Sequence, residues 1–128
     1  MIEFDVQFKP NPEWEREFAK KSIMALEQTG AALYSDLVLS GTVPFDTGSL
    51  QNVLTHPDYT AAADGIIRLV SKGPYARRLY YNPEYNFRKD KNPFAGGRWF
   101  DPYFAGHAKG DFVMNTFAAI LEGLMGGG

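Results

Sequence analysis

Residue types that carry catalytic or metal chemistry are sparse in this 128-residue chain. It has no cysteine, which excludes disulfides, thiolate catalysis and cysteine-based metal sites. Its two histidines, His56 and His107, each lack a second histidine at metal-site spacing. The sequence also lacks a phosphate-binding glycine loop and a G-x-S-x-G nucleophile motif. We predict no metal, no cofactor and no enzymatic activity. A small hydrolase using either histidine with a carboxylate is the weaker hypothesis.

The densest group of potential contact residues lies between residues 73 and 104. This segment holds ten of the nineteen aromatic residues and six of the thirteen Lys and Arg residues. Four prolines and one Gly-Gly pair divide it into pieces too short for a long helix or a wide sheet. Because Tyr, Trp and Arg are enriched at the energetic centres of protein interfaces, we predict a docking element. The candidate contact residues are Tyr75, Arg77, Arg78, Tyr80, Tyr81, Arg98, Trp99 and Phe100.

Interleaved basic and aromatic residues also suit nucleic acid. Between residues 77 and 98, Arg and Lys stand among Tyr and Phe, a composition that can follow a phosphate backbone and stack on bases. The net charge of −2 argues against a general nucleic-acid binder, and no nucleic-acid-binding fold signature is present. A local aromatic core with a solvated charged rim is favoured over this hypothesis. A nucleic-acid-binding accessory protein is therefore the alternative function.

Hydrophobic periodicity outlines the elements that precede this segment. Residues 2–8 alternate between apolar and polar, the period of a half-buried strand. Asn11-Pro12 supplies a helix cap and a first helical residue, and apolar residues continue at helical spacing to about residue 40. Gly41 is the expected end of this long helix. Gly30 within it indicates a bend or a close approach of another backbone.

The middle and the end of the chain read as short strands and one more long helix. Residues 50–54 and 66–70 predict strands, with 63–65 as a hairpin turn and 56–58 as a loop. Short helices are expected at residues 75–81 and 102–108. Asp111 then caps a C-terminal helix whose apolar side comprises Phe112, Met114, Phe117, Ile120, Leu121 and Leu124.

These elements predict an α+β fold: a small antiparallel sheet packed against a long N-terminal helix and a C-terminal helix, in one domain spanning residues 1–128. No run of eighteen apolar residues predicts a transmembrane helix. The first nine residues lack a signal-peptide pattern, so we expect the protein to stay where it is made.

Three segments in order resemble one protein family: VPFDTGSLQN at 43–52, GPYARRLYYNPEYNF at 73–87 and NPFAGGRWFDPYF at 92–104. Together they resemble the minor capsid, or head–tail joining, proteins of long-tailed bacteriophages. The family pattern is a long N-terminal helix, a Pro-x-Asp-Thr-Gly-x-Leu turn, strands leading to Pro-Tyr-Ala, and a C-terminal helix. In the branch that this chain resembles, Gly-Gly-Arg-Trp-Phe-Asp-Pro precedes that last helix. The likeness spans about residues 12–125.

The resemblance implies a structural virion protein of the neck, a tail completion protein. Copies of it would form part of the ring that joins the DNA-filled head to the tail. Its implied partners are other copies of itself, head-closure or connector proteins, and tail terminator or tail-tube proteins. DNA would pass nearby without specific binding, and no membrane is involved. The implied location is the virion neck, and the host cytoplasm during assembly.

The resemblance also implies roles for its motif residues. The first motif implies a structural turn formed by Pro44, Asp46, Thr47, Gly48 and Leu50. For the Gly-Gly-Arg-Trp-Phe-Asp-Pro motif, contact with a neighbouring subunit is expected at least as much as a role in the fold. We therefore expect Trp99→Ala to impair assembly more than folding. Residues 81–94 and 2–8 depart from the commoner family pattern, and the strand at 2–8 is expected to pair with a neighbour at an exposed edge.

Overall fold

The structure is a computed structural model that describes residues 2–40, 55–72, 76–81 and 97–126. Three strands form one antiparallel sheet, and two long helices pack with it and with each other, which confirms the predicted α+β class. The elements are β1 (Ile2–Gln7), α1 (Arg16–Ser40), β2 (Thr55–Asp58), β3 (Ile66–Ser71), α2 (Ala76–Tyr80) and α3 (Phe112–Gly126), with 3₁₀ turns at Ala62–Asp64 and Asp101–Tyr103.

β3 is the central strand of the sheet, in the order β1–β3–β2. The apolar residues of β1 are buried and its polar residues are exposed, as the alternation predicts. The register places Phe4 opposite Leu69, so both side chains point to the buried face. On the other face, Arg68 forms ion pairs with Glu3 at 3.8 Å and Asp5 at 3.3 Å. The strands predicted at 2–8 and 66–70 are confirmed.

β2 corrects the prediction for residues 56–58, because this segment is a strand and not a loop. Pro57 lies opposite Leu69 in a strand that pairs only with β3 among the described strands. Proline is tolerated on such an outer strand because its missing N–H takes no bond from the sheet. The chain then returns to β3 through the 3₁₀ turn and Gly65, whose φ is +84°. The strand predicted at 50–54 lies outside the described residues.

The start of α1 also differs from the prediction of a cap at Asn11. The Asn11 side chain accepts the Glu13 N–H at 2.9 Å and closes a local turn. The Glu15 carboxylate accepts the N–H groups of Glu17 at 3.0 Å and Phe18 at 3.2 Å. Glu15 therefore takes the capping role, and α1 begins at Arg16.

One stripe of α1 packs on the sheet and forms most of the core with it. The stripe has close to helical spacing and is fully buried, and Gly30 lies at its centre. A Cβ atom at Gly30 would lie 2.5 Å from Cγ2 of Ile67 on β3. Gly30 thus marks a close approach of helix and sheet, to a side chain rather than to a backbone. The buried residues of α1 are Ser22, Ala25, Leu26, Thr29, Gly30, Leu33 and Leu37.

The C-terminal part of the fold packs on α1 through aromatic contacts. The ring of Phe117 on α3 lies 5.5 Å from that of Phe8, which in turn stacks on Trp14 at 6.0 Å. The helix predicted at 102–108 is instead a 3₁₀ turn followed by irregular turns, one of them with Gly106 at φ +84°. The predicted apolar side of α3 is wrong at one position, because Met114 is 74% exposed.

We expect Gly30→Ala to destabilise the protein although alanine favours helix by about 1 kcal/mol. The added methyl group has to displace the buried, β-branched Ile67, and such overpacking costs about 1–3 kcal/mol. Urea unfolding measures the effect.

The matched control is Gly123→Ala in α3, where a Cβ atom meets nothing within 4 Å. This change is expected to raise the free energy of unfolding by up to about 1 kcal/mol. A stabilised Gly30→Ala variant would contradict the close approach.

Candidate interaction surface

The aromatic residues predicted to contact a partner divide into a buried group and an exposed group. Trp99 and Phe100 are each 1% exposed and Tyr80 is 4% exposed. These three side chains belong to the core of the chain. The prediction that they form a contact surface is therefore corrected: in the folded chain no partner can reach them. Their apolar area is covered by β1, by the end of β3 and by one another.

Burial of Trp99 is made possible by a short chain of hydrogen bonds at the end of the sheet. Its indole Nε1–H donates to Ser71 Oγ at 3.1 Å. The Ser71 and Thr55 hydroxyl oxygens are 3.0 Å apart and share a further hydrogen bond. Both hydroxyl-bearing residues are fully buried and face each other in the β2–β3 register. Because a buried polar group without a partner is costly, this arrangement fixes the indole in one position.

Tyr80 connects α2 to the same cluster. Its ring meets that of Trp99 edge-on, with centroids 4.9 Å apart. Its hydroxyl donates to Asp101 Oδ1 at 2.5 Å. Burial of the hydroxyl, together with this hydrogen bond, raises the pKa of Tyr80 well above its ordinary value. The phenol therefore stays protonated and holds Asp101 in place below Arg98.

Arg98 adopts a left-handed backbone conformation, with φ +51°. This conformation is uncommon for a residue with a side chain and costs about 1 kcal/mol. It is held by two flanking contacts: the Arg98 N–H donates to the Tyr80 carbonyl at 3.0 Å, and the next residue is the buried Trp99. The turn directs the guanidinium outward, where Cζ lies 5.3 Å from the centroid of the Tyr81 ring.

Arg77, Tyr81 and Arg98 form what we call the Arg–Tyr patch. Tyr81 is 50% exposed, the Arg98 side chain is 48% exposed, and Arg77 is also exposed. Arg98 Nη1 lies 3.5 Å from Asp101 Oδ2, a long and partly solvated ion pair that leaves other guanidinium donors available. The patch thus presents an aromatic face and two cations.

The remaining predicted site residues cannot be assigned to this patch. Arg78 belongs to α2, and its side chain lies outside what the structure describes. Tyr75 and all residues of the first motif lie outside the described residues, so their roles stay predictions. The motif residues concerned are Pro44, Asp46, Thr47, Gly48 and Leu50.

Sequence reasoning missed Asp36, which joins α1 to the turns before α3. Its Oδ2 accepts the Tyr103 hydroxyl at 2.6 Å and Lys109 Nζ at 2.8 Å. Burial alone would raise the pKa of Asp36, but these hydrogen bonds and the Lys109 charge offset it and hold the pKa below its ordinary value. Asp36 therefore stays ionised at neutral pH. An isolated Asp within a helical pattern carries no sequence signal for such a role.

The histidines lie apart from the Arg–Tyr patch. His107 is exposed and lines an open depression of about 510 Å³ together with Asp36, Lys109 and Asp111. His56 lies on β2, with Nδ1 3.2 Å from the Pro57 carbonyl oxygen. Within residues 2–40, 55–72, 76–81 and 97–126, no group of three or more His, Asp or Glu residues is placed to hold a metal ion. No helix in these ranges is long and apolar enough to cross a membrane.

Comparison of the chain with protein-family models, with curated proteins and with solved structures finds no match. The likeness to phage head–tail joining proteins therefore rests on the ordered sequence motifs.

We expect Trp99→Ala to lower the free energy of unfolding by about 3–5 kcal/mol, because it empties a buried aromatic site. It also leaves the Ser71 hydroxyl without its indole donor. This outcome replaces the earlier expectation that the variant would impair assembly more than folding. Chemical unfolding of the isolated chain measures it.

The matched control is Tyr81→Ala, which removes a half-exposed ring from the neighbouring surface. Its cost is expected to stay below about 1 kcal/mol. Equal destabilisation by the two substitutions would contradict the division into core and surface.

Proposed function

We propose that this chain is a structural virion protein of a tailed bacteriophage or prophage. In this proposal it is a minor capsid, tail-completion protein that forms part of the neck ring between the DNA-filled head and the tail. The observation that supports it most is the two-sided use of one motif. In Gly-Gly-Arg-Trp-Phe-Asp-Pro, Trp99 and Phe100 enter the core, whereas Arg98 is presented at the surface in a fixed backbone conformation.

A fixed Arg beside an exposed Tyr suits protein docking. Arg and Tyr are over-represented among residues whose truncation weakens interfaces most, and a pre-positioned side chain loses little entropy on binding. The guanidinium is already oriented by Tyr81 and Asp101. We propose that the Arg–Tyr patch binds an acidic surface of a neighbouring neck protein. Assembly in this proposal uses the exposed residues of the motif and leaves its buried residues to stability.

Binding of nucleic acid is the second candidate function. Arg98 placed over the Tyr81 ring offers a cation and a stacking surface, the two groups that single-stranded nucleic acid uses. The net charge of −2 favours the protein partner. A channel through which DNA must slide is also better served by few phosphate contacts, since each adds salt-sensitive affinity.

The test is a stop codon in the gene for this chain in the phage that encodes it, followed by negative-stain electron microscopy of the lysate. We expect separate DNA-filled heads and finished tails. Supply of the wild-type chain from a plasmid should restore joined particles. Normal numbers of infectious particles without the protein would contradict the proposed function.

Complementation with Arg98→Gly tests the patch itself. Glycine accepts φ +51° without strain and loses only a partly solvated ion pair, so the variant is expected to keep wild-type stability within about 1 kcal/mol. We expect it to fold but to leave heads and tails unjoined.

Lys20→Gly is a poor match because it lies within a helix, so Lys72→Gly, at an exposed position directly after β3, serves as the control for loss of a cation. Full complementation by Arg98→Gly would remove the patch from the proposed interface. Salt-dependent binding of single-stranded DNA by the wild-type chain, lost in Arg98→Gly, would favour the second candidate.

A further inference from the structure

α3 exposes an unusually apolar side for a helix at the surface of a small protein. Its fifteen residues include one charged residue, Glu122. None of its residues is fully buried, although one side lies along α1. On the other side, Met114 is 74% exposed and Met125 42% exposed. The exposed positions of the helix are Met114, Asn115, Ala118, Ala119, Glu122, Gly123, Met125 and Gly126.

A helix that is apolar all round is normally covered all round. α1 covers the side of α3 that carries Val113, Phe117 and Ile120, which are half-buried. The opposite side retains methionine and alanine side chains in water, which favours a partner surface.

We propose that the exposed side of α3 binds the same side of α3 in a second copy of this chain. The two helices would run antiparallel around a two-fold axis between Ala118 and Ala119. This inference does not depend on the proposed function. It concerns a surface separate from the Arg–Tyr patch.

The order of residues along the exposed side supports antiparallel self-pairing. A two-fold axis between positions 118 and 119 places Asn115 of one copy opposite Glu122 of the other, and does so twice. These are the two polar residues of the exposed side within α3, so each gains a hydrogen-bonding partner on association. A parallel arrangement in the same register would instead bring the two Glu122 carboxylates together.

The apolar residues match in the same register. Met114 of one copy lies opposite Gly123 of the other, and the space beside the Gly123 Cα is open, with no atom within 4 Å of a Cβ built there. A flexible methionine can fill such a gap. At the axis, Ala118 and Ala119 let the two helices approach closely. The face is thus complementary in shape as well as in polarity.

Two observations determine the choice of occupant and the expected strength. α3 contains no Lys or Arg, the residues that line the polar face of helices bound to lipid surfaces. Self-pairing is therefore favoured over lipid. A fifteen-residue helix is only about 22 Å long, so a single helix pair buries less area than a standard stable interface. The dimer is expected to be weak and reversible.

Sedimentation velocity across micromolar to millimolar concentrations of the full chain tests the proposal. We expect a monomer–dimer equilibrium for the wild-type chain. Ala118→Asp places two carboxylates beside the axis and is expected to weaken association at least ten-fold, without a change in the thermal unfolding of the dilute chain. The matched control is Ala31→Asp, the same substitution at an exposed position of α1, which should leave association unchanged.

Asn115→Lys tests the register. In the antiparallel pair the new ammonium group meets Glu122 of the partner twice, so association should tighten by about three- to ten-fold at low salt and lose this gain at high salt. Within one chain the two positions are seven residues apart, about 10 Å along the helix, too far for a direct pair.

Several results would overturn self-pairing. They are a wild-type chain that stays monomeric at every concentration, a dimer unaffected by Ala118→Asp, and weaker association of Asn115→Lys. A monomeric chain that co-sediments with phosphatidylcholine vesicles would overturn it in favour of lipid.

Discussion

The buried indole N–H of Trp99 is the constraint on which the rest of this structure depends. A tryptophan can enter a core only where its donor finds an acceptor, and Ser71 supplies that acceptor at the end of the central strand. Thr55, opposite Ser71 in the neighbouring strand, completes the arrangement. One hydrogen-bonded chain thus joins β2, β3 and the segment that follows residue 97. Its position fixes where that segment meets the sheet.

The exposed surface follows from this buried anchor. With Trp99 fixed, the preceding Arg98 reaches the carbonyl of Tyr80 only in a left-handed conformation. The same geometry places the guanidinium over Tyr81. Four consecutive residues of the motif therefore alternate in use: Arg98 is presented, Trp99 and Phe100 are buried, and Asp101 supports both Tyr80 and Arg98. A surface built in this way is as rigid as the core behind it, which suits a component that has to hold two large assemblies together.

Periodicity was sufficient to predict β1, β3, α1 and the fold class, because each has a repeating apolar pattern over several turns or residues. It failed at β2, a four-residue strand whose Pro57 and flanking polar residues look like a loop. Aromatic composition indicated a special segment but could not separate Trp99 from Tyr81. That difference depends on Ser71 and Thr55, which lie 28 and 44 residues earlier in the chain. Asp36 was missed for the same reason, since its partners Tyr103 and Lys109 are joined to it only by the fold.

Hydrogen exchange of the two tryptophan indole N–H groups, followed by NMR, tests the central claim most directly. Trp14 lies half-buried among Phe8 and Phe18 and serves as the internal reference, with a Trp14→Phe variant to assign the two signals. We expect the Trp99 indole proton to exchange only through global unfolding, at the rate set by the free energy of unfolding. Rapid exchange of that proton while the slowest backbone amides stay protected would contradict a buried indole bonded to Ser71.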